Sequence, residues 1–197
     1  MSRQKVTAVR EGILRSAIQV FGELGFQSTT IKAIADRQGI SPGTVYVYFS
    51  SKEELFRQAV EEGWAEFLAE IRRIVGAPRQ LRERFETILD YCFDSLQTAL
   101  PLLRGMLFDS RRRHLLQQNL EKLVDLLEGF AGEVGTLSSD SEWLDPKLRR
   151  FQIRTTVLGV LTSVALAQDE ALSQEIATFK DLIKRLQYAR FAPGGQP

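Results

Sequence analysis

Apolar residues recur along the chain at spacings of three and four, the period of a helix with one buried face. No run alternates with the two-residue period of a strand bounded by hairpin turns, so an all-α fold is expected. Val6, Val9, Ile13, Ala17, Val20 and Leu24 form one stripe, widened by Leu14 and Phe21, on a first helix that Gly25 can end. A short second helix is expected from about Thr30 to Gln38, with Thr29 or Thr30 as N-cap, Ile31 and Ile34 turned inward, and Gly39 where a left-handed stop is needed. Ser41 is a good N-cap and Pro42 suits a first helical position, so a third short helix begins there and reaches about Phe49. Ser51 and Glu54 have the spacing of a capping box. The fourth helix that they open continues through Leu55, Phe56, Val60, Trp64, Phe67, Leu68, Ile71 and Val75 to a stop at Gly76-Ala77-Pro78.

Beyond Pro78 the periodicity predicts helices at about 79–99, 101–109 and 112–134, and a loop from about Gly135 to Asp145. Two long helices follow at about 146–168 and 171–190, and the tail from Pro193 to Pro197 is expected to be disordered. The chain thus divides into a small unit over residues 1–52, a connecting helix at 52–75, and a larger helical unit over 53–192.

Two short helices joined by a glycine-containing turn, Gln38-Gly39-Ile40-Ser41, and braced by a longer preceding helix have the layout of a helix-turn-helix. The second helix of such a unit presents a thin surface to the major groove while its other face packs on the domain. Val45 and Phe49, four apart, serve the inward face. Ser41, Gly43, Thr44, Val47 and Tyr48 face outward, with Tyr46 on the flank and Lys32 on the same side. Lys52, at the start of the fourth helix, can hold one phosphate together with free backbone amides. The third helix contains no Arg, Asn or Gln, so direct base reading should be sparse, with Thr44 and Val47 on thymine methyls and Lys32 as the main polar contact.

Charge sharpens this picture only when it is divided. The whole chain has 26 Lys and Arg against 25 Asp and Glu. Residues 1–52 carry Arg3, Lys5, Arg10, Arg15, Lys32, Arg37 and Lys52 against Glu11, Glu23 and Asp36, so the basic excess lies in the segment expected to meet phosphates. The basic run Arg111-Arg112-Arg113 before His114 is read as a solvated helix start. One cysteine, Cys92, and one histidine leave no disulfide and no zinc-ligand set, and neither a metal nor another cofactor is expected. The polar N-terminus and the absence of a long apolar run predict a cytoplasmic protein with no membrane partner.

Near the C-terminus Leu172, Ile176, Phe179, Ile183 and Leu186 alternate spacings of four and three, the seam of a helix packed on a partner. The preceding helix is apolar nearly all round, as one buried on two sides would be. A homodimer interface is expected from Val157, Leu158, Leu161, Thr162 and Ala165 together with that seam, and a two-fold protein suits a palindromic duplex.

Ile13-Leu14, Ala17, Phe21, Gly25-Phe26, Thr30, Ile34-Ala35, Gly39, Ile40-Ser41, Gly43-Thr44, Tyr46, Tyr48-Phe49 and Ser51-Lys52-Glu53 together resemble the N-terminal signature of the TetR family of transcriptional regulators. The resemblance covers roughly residues 8 to 57. It implies DNA contacts at Thr30, Lys32, Ser41, Pro42, Gly43, Thr44, Tyr46, Val47, Tyr48 and Lys52. It also implies a C-terminal ligand and dimer domain, and repression relieved by a small-molecule effector. Residues that could line such a ligand site are Trp64, Phe67, Phe85, Tyr91, Cys92, Met106, Phe108, His114, Phe151 and Arg154. Gln38 departs from the pattern, since a small apolar residue is commoner before the turn glycine; the packing of the turn is where this chain should differ.

An enzyme would need a nucleophile with its base, paired acids or a metal cluster, and a lone His far from a lone Cys offers none of these. The alternatives are an activator or ligand-independent DNA organiser of the same fold, or a helical protein-partner module without salt-dependent DNA binding.

Overall fold

In the computed structural model residues 3–109, 111–135 and 145–191 are described. They form eight helices and no strand: α1 (Arg3–Ser28), α2 (Ile31–Gln38), α3 (Pro42–Tyr48), α4 (Lys52–Val75), α5 (Leu81–Phe108), α6 (Arg113–Gly135), α7 (Pro146–Leu166) and α8 (Asp169–Phe191). The protein is all-α, as the periodicity requires. The centre of the expected loop at 135–145, the tail from 193 and the side chain of Phe108 lie outside the described residues.

The chain packs as two compact units. One comprises Met1–Phe67 with Thr98–Gln118, the other Leu68–Gln97 with Asn119–Pro197. In the first unit Ile13, Ala17, Phe21, Ile34, Val45, Phe49, Leu55 and Phe56 are almost wholly buried, so α1 to α4 close over one core. Phe21, Phe26 and Phe56 form its aromatic centre: Phe56 meets the other two rings edge to face at 5.0 and 4.9 Å. Val6 and Leu24, placed by the spacing on the buried stripe of α1, are instead exposed: Val6 lies before the first buried turn, and Leu24 lies between buried Phe21 and Phe26 on the open side of the helix.

Gly25 is the break in α1, with φ 70° and ψ 174°, a region only glycine enters freely. It also lets another helix approach: a Cβ at Gly25 would stand 3.1 Å from the Pro101 carbonyl oxygen of α5. The spacing predicts a helix end before Pro101, but α5 runs through it. Proline removes one hydrogen bond, and burial of Leu96, Leu100, Leu103 and Met106 on both sides of it outweighs that loss.

In the second unit Leu68, Ile71, Ile74, Ile88, Phe93, Leu120, Val124, Phe130, Val160 and Val164 form the core. Ion pairs tie its helices at the rim. Arg150 reaches Glu121 at 2.9 Å and Asp125 at 2.5 Å, Arg149 reaches Glu128 at 3.2 Å, and Lys180 reaches Asp90 at 2.7 Å.

Candidate nucleic-acid interface

The turn between α2 and α3 is built by its own side chains. Thr30, not Thr29, caps α2: its hydroxyl accepts from the Ala33 amide at 3.1 Å. Thr29 is buried and donates to the Gly25 carbonyl at 2.7 Å, sealing the end of α1. Gly39 adopts the left-handed conformation, φ 73°, and its amide returns to Ala35 and Asp36. Ser41 then caps α3, accepting from the Thr44 amide at 3.2 Å, with Pro42 in the first turn. Arg37 of α2 grips Glu23 of α1 through two bonds of 2.6 and 2.7 Å, which fixes the angle of the pair.

The short α3 is locked from one side and open on the other. Val45 and Phe49 are buried, and the Arg10 guanidinium lies 5.4 Å from the Phe49 ring centroid. Val47 is 79% exposed and Tyr46 55%, while Thr44 and Tyr48 are half-buried at its margins. Ser41, Pro42 and Gly43 stand exposed at its start, and Thr30 and Lys32 are exposed on α2. Nine of the ten sequence-identified positions thus lie on α2, α3 and their caps, and the tenth, Lys52, begins α4. Lys32 is held by Asp36 at 2.6 Å, an exposed one-turn pair that a base or phosphate can displace.

Lys52 opens α4 and is half-buried. Its ammonium lies 4.4 Å from the Phe26 ring centroid and donates to the Gln27 carbonyl over 3.4 Å. Burial lowers its pKa from the ordinary lysine value; the Glu53 carboxylate acts in the opposite sense, and the nearby Arg112 guanidinium adds a smaller lowering. The capping box differs from its expected form. Ser51 accepts from the Glu54 amide at 3.1 Å, but the Glu54 carboxylate turns to the amide and hydroxyl of Ser50, at 2.7 and 2.5 Å. Those bonds to Ser50 hold the Glu54 carboxyl below its usual pKa.

The ligand-lining candidates are divided between the two units. Trp64, Phe67, Met106 and His114 belong to the first unit, and Phe85, Tyr91, Cys92, Phe151 and Arg154 to the second. His114 and Phe151 stand at the surface, and Arg154 pairs there with Glu121 at 3.4 Å. Trp64 and Phe67, both half-buried and three positions apart on α4, meet edge to face at 5.5 Å. Met106 is fully buried.

The expected dimer residues separate as well. Ala165 is buried inside its own unit, and Val157, Leu161, Leu172, Ile176, Phe179 and Ile183 are half-buried. Leu158, Thr162 and Leu186 are exposed. The uncovered apolar face also includes Phe151 and Leu166 of α7 and Leu182 of α8, which sequence reasoning did not assign to it. Spacings of seven and eight from Phe151 through Leu158 to Leu166 were the available signal. Arg112 was missed too, since a run of three arginines gives no sign of which one folds inward.

A capped, glycine-turned helix pair with an open second helix is a helix-turn-helix, and the class it defines is a DNA-binding transcriptional regulator. Over residues 13–59 the chain matches the family described as bacterial regulatory proteins, tetR family. It is 34% identical over 119 residues to the uncharacterized HTH-type transcriptional regulator YfiR of Bacillus subtilis (strain 168), a stretch covering 58% of this chain and 57% of that protein. It is 23% identical to the fatty acid metabolism regulator protein of the same organism, over 77% of this chain and 80% of that one. In fold it is similar to a transcriptional regulator from Cytophaga hutchinsonii, with a TM-score of 0.71 at 18% identity over 92% and 95% of the two chains. It is also similar to the regulator FadR from Bacillus subtilis in complex with stearoyl-CoA, with a TM-score of 0.65 at 19% identity over 94% and 99%. Among the described residues no group of His, Cys, Asp or Glu could hold a metal ion, and no helix is long and apolar enough to cross a membrane.

Proposed function

We propose that this regulator is a homodimeric repressor that binds a palindromic operator through α3 and releases it when a small molecule enters the helical C-terminal part. The observation that carries the DNA-reading part is the division of α3, with Val45 and Phe49 locked in the core and Tyr46 and Val47 open to solvent. A short helix with so few hydrogen-bonding side chains reads thymine methyls and groove shape, and one copy of it binds weakly. Two copies are therefore needed. The uncovered apolar stripe on α7 and α8 supports a two-fold partner of the same chain.

For the effector, stearoyl-CoA is the first compound to test, because it is bound by a regulator that shares this fold over nearly its full length. Effector and operator then weaken each other's binding by one common factor. Genomic footprinting with transcript measurement, with and without stearoyl-CoA, tests the reading. Symmetric paired footprints that fade with the compound, over genes whose transcripts rise, are expected. Transcripts that fall when the footprint fades would make the protein an activator, and asymmetric single footprints would remove the dimer.

A further inference from the structure

The Phe26 ring, at the end of α1, carries two cations. Lys52 Nζ lies 4.4 Å from its centroid and Arg112 Cζ lies 3.7 Å from it, while the Phe56 ring meets it edge to face at 4.9 Å. Arg112 comes from the segment joining α5 to α6, and its side chain is only 14% exposed. Its charge is paired with Asp109, which also accepts from the Arg111 amide at 2.9 Å. That segment is built into the unit that contains the helix-turn-helix. It also walls a groove of about 500 Å³ beside Leu24, Phe26, Gln27 and Pro101.

Lys52 is differently placed. Among the described contacts its ammonium has one hydrogen-bond acceptor, the Gln27 carbonyl at a long 3.4 Å, so donors remain for a phosphate. Gln27 is three residues before Thr30, the exposed cap of α2. With an ion-paired guanidinium already stacked on Phe26, like-charge repulsion opposes any further movement of the ammonium across that ring.

We infer that Arg112 is a positioning residue for DNA binding: by holding the Phe26 ring it keeps the Lys52 ammonium in its place over that ring, beside Gln27, where a backbone phosphate can take it. The inference rests on the reading of Lys52 as a phosphate contact. It makes the grip on DNA depend on a segment between α5 and α6 that itself touches no DNA.

The test uses the full chain and a fluorescent mixed-sequence duplex of about three helical turns. Binding is followed by anisotropy between about 50 and 200 mM KCl, since phosphate contacts are read by the salt slope whatever the sequence. Lys52→Ala should lower the slope by about 0.9 per bound subunit and weaken binding roughly eightfold at 0.1 M salt. Arg112→Met, which keeps an apolar stem on the ring, should lower it by the same amount, and the double variant should lose no more than either single one. Arg112→Lys, which restores a cation, should recover part of the slope. In the free protein, Lys52 should titrate at higher pH in Arg112→Met than in the parent, and Arg112→Lys, which restores the charge, should bring it back toward the parent.

An unchanged slope in Lys52→Ala would remove the underlying phosphate contact. With that contact standing, an unchanged slope in Arg112→Met would overturn the positioning role. Slopes that fall additively would also overturn it, making Arg112 a phosphate contact in its own right.

Discussion

Gln38 folds its carboxamide across Gly12, into the space that a β-carbon there would occupy. A Cβ built at Gly12 would overlap Gln38 Nε2 and stand 3.0 Å from Gln38 Cδ. The amide is held there by buried Ser16, whose hydroxyl donates to Gln38 Oε1 at 2.9 Å. The departure from the family pattern at the turn is thus matched by a glycine and a serine on α1. Where a small residue would fill the space before Gly39, this chain uses a polar amide and clears a helical position to admit it.

This pairing makes the effect of one substitution change sign with its background. Gly12 lies inside α1, where Gly→Ala ordinarily gains about 1 kcal/mol of helix propensity. Here overpacking against Gln38 costs about 1–3 kcal/mol, so Gly12→Ala should be neutral to destabilising. In a Gln38→Ala background the same change should stabilise by about 1 kcal/mol. Urea unfolding of the parent, both single variants and the double variant gives the coupling energy, expected at 1 kcal/mol or more. Additive effects would mean that the amide moves aside freely.

The first fifty residues were legible because their signals act within a few residues. A cap bonds an amide three positions on, as Ser41 does with Thr44, and Gly39 is required by its own φ. The remainder depends on long-range packing that periodicity does not encode. Pro101 looks like a helix end until α5 is seen to continue with buried leucines on both sides. Arg112 looks solvated until Phe26, 86 positions earlier, supplies its surface. Ala165 and Phe151 both read as apolar helix positions, and only the fold shows that one is covered and the other open.

Neighbouring positions of α3 should separate DNA binding from stability. Val47→Ala removes an exposed side chain and should change unfolding free energy by less than about 0.5 kcal/mol. It should weaken binding to the cognate operator while leaving mixed-sequence DNA nearly unaffected, if the valine touches a thymine methyl. Phe49→Ala removes a buried ring and should cost about 3–5 kcal/mol. Equal losses on operator and mixed-sequence DNA for Val47→Ala would show that the valine does not read bases.

Cys92 should be chemically silent in the folded protein. Burial pushes its thiol up to about 12, so thiolate is scarce at neutral pH. Alkylation by iodoacetamide at pH 8 should be roughly a hundredfold to a thousandfold slower than in guanidinium, where the thiol returns to its ordinary value. Rapid alkylation without denaturant, followed by mass spectrometry, would show that the half-buried thiol ionises in the folded protein.

The apolar face of α7 and α8 leads to the last prediction. Phe151 is 67% exposed, Leu166 64% and Leu186 61%, with Leu158 and Leu182 beside them in the two helices. Scattered exposed leucines are ordinary, but Phe151, Leu158 and Leu166 recur along one side of α7 and Leu182 and Leu186 along one side of α8. The exposed Thr155 and Thr162 lie between them on α7, small enough for another helix to approach closely. A charge placed in such a seam is buried unpaired on association, so Phe151→Glu or Leu186→Glu should weaken dimerisation by several kcal/mol. Sedimentation velocity should show the parent as a dimer and each variant shifted to monomer, with helical circular dichroism unchanged. Operator affinity should then fall steeply, while mixed-sequence binding keeps its salt slope per subunit, because each subunit retains its own phosphate contacts. Variants that remain dimeric would place the interface on another face, and a monomeric parent would leave the stripe to a different partner.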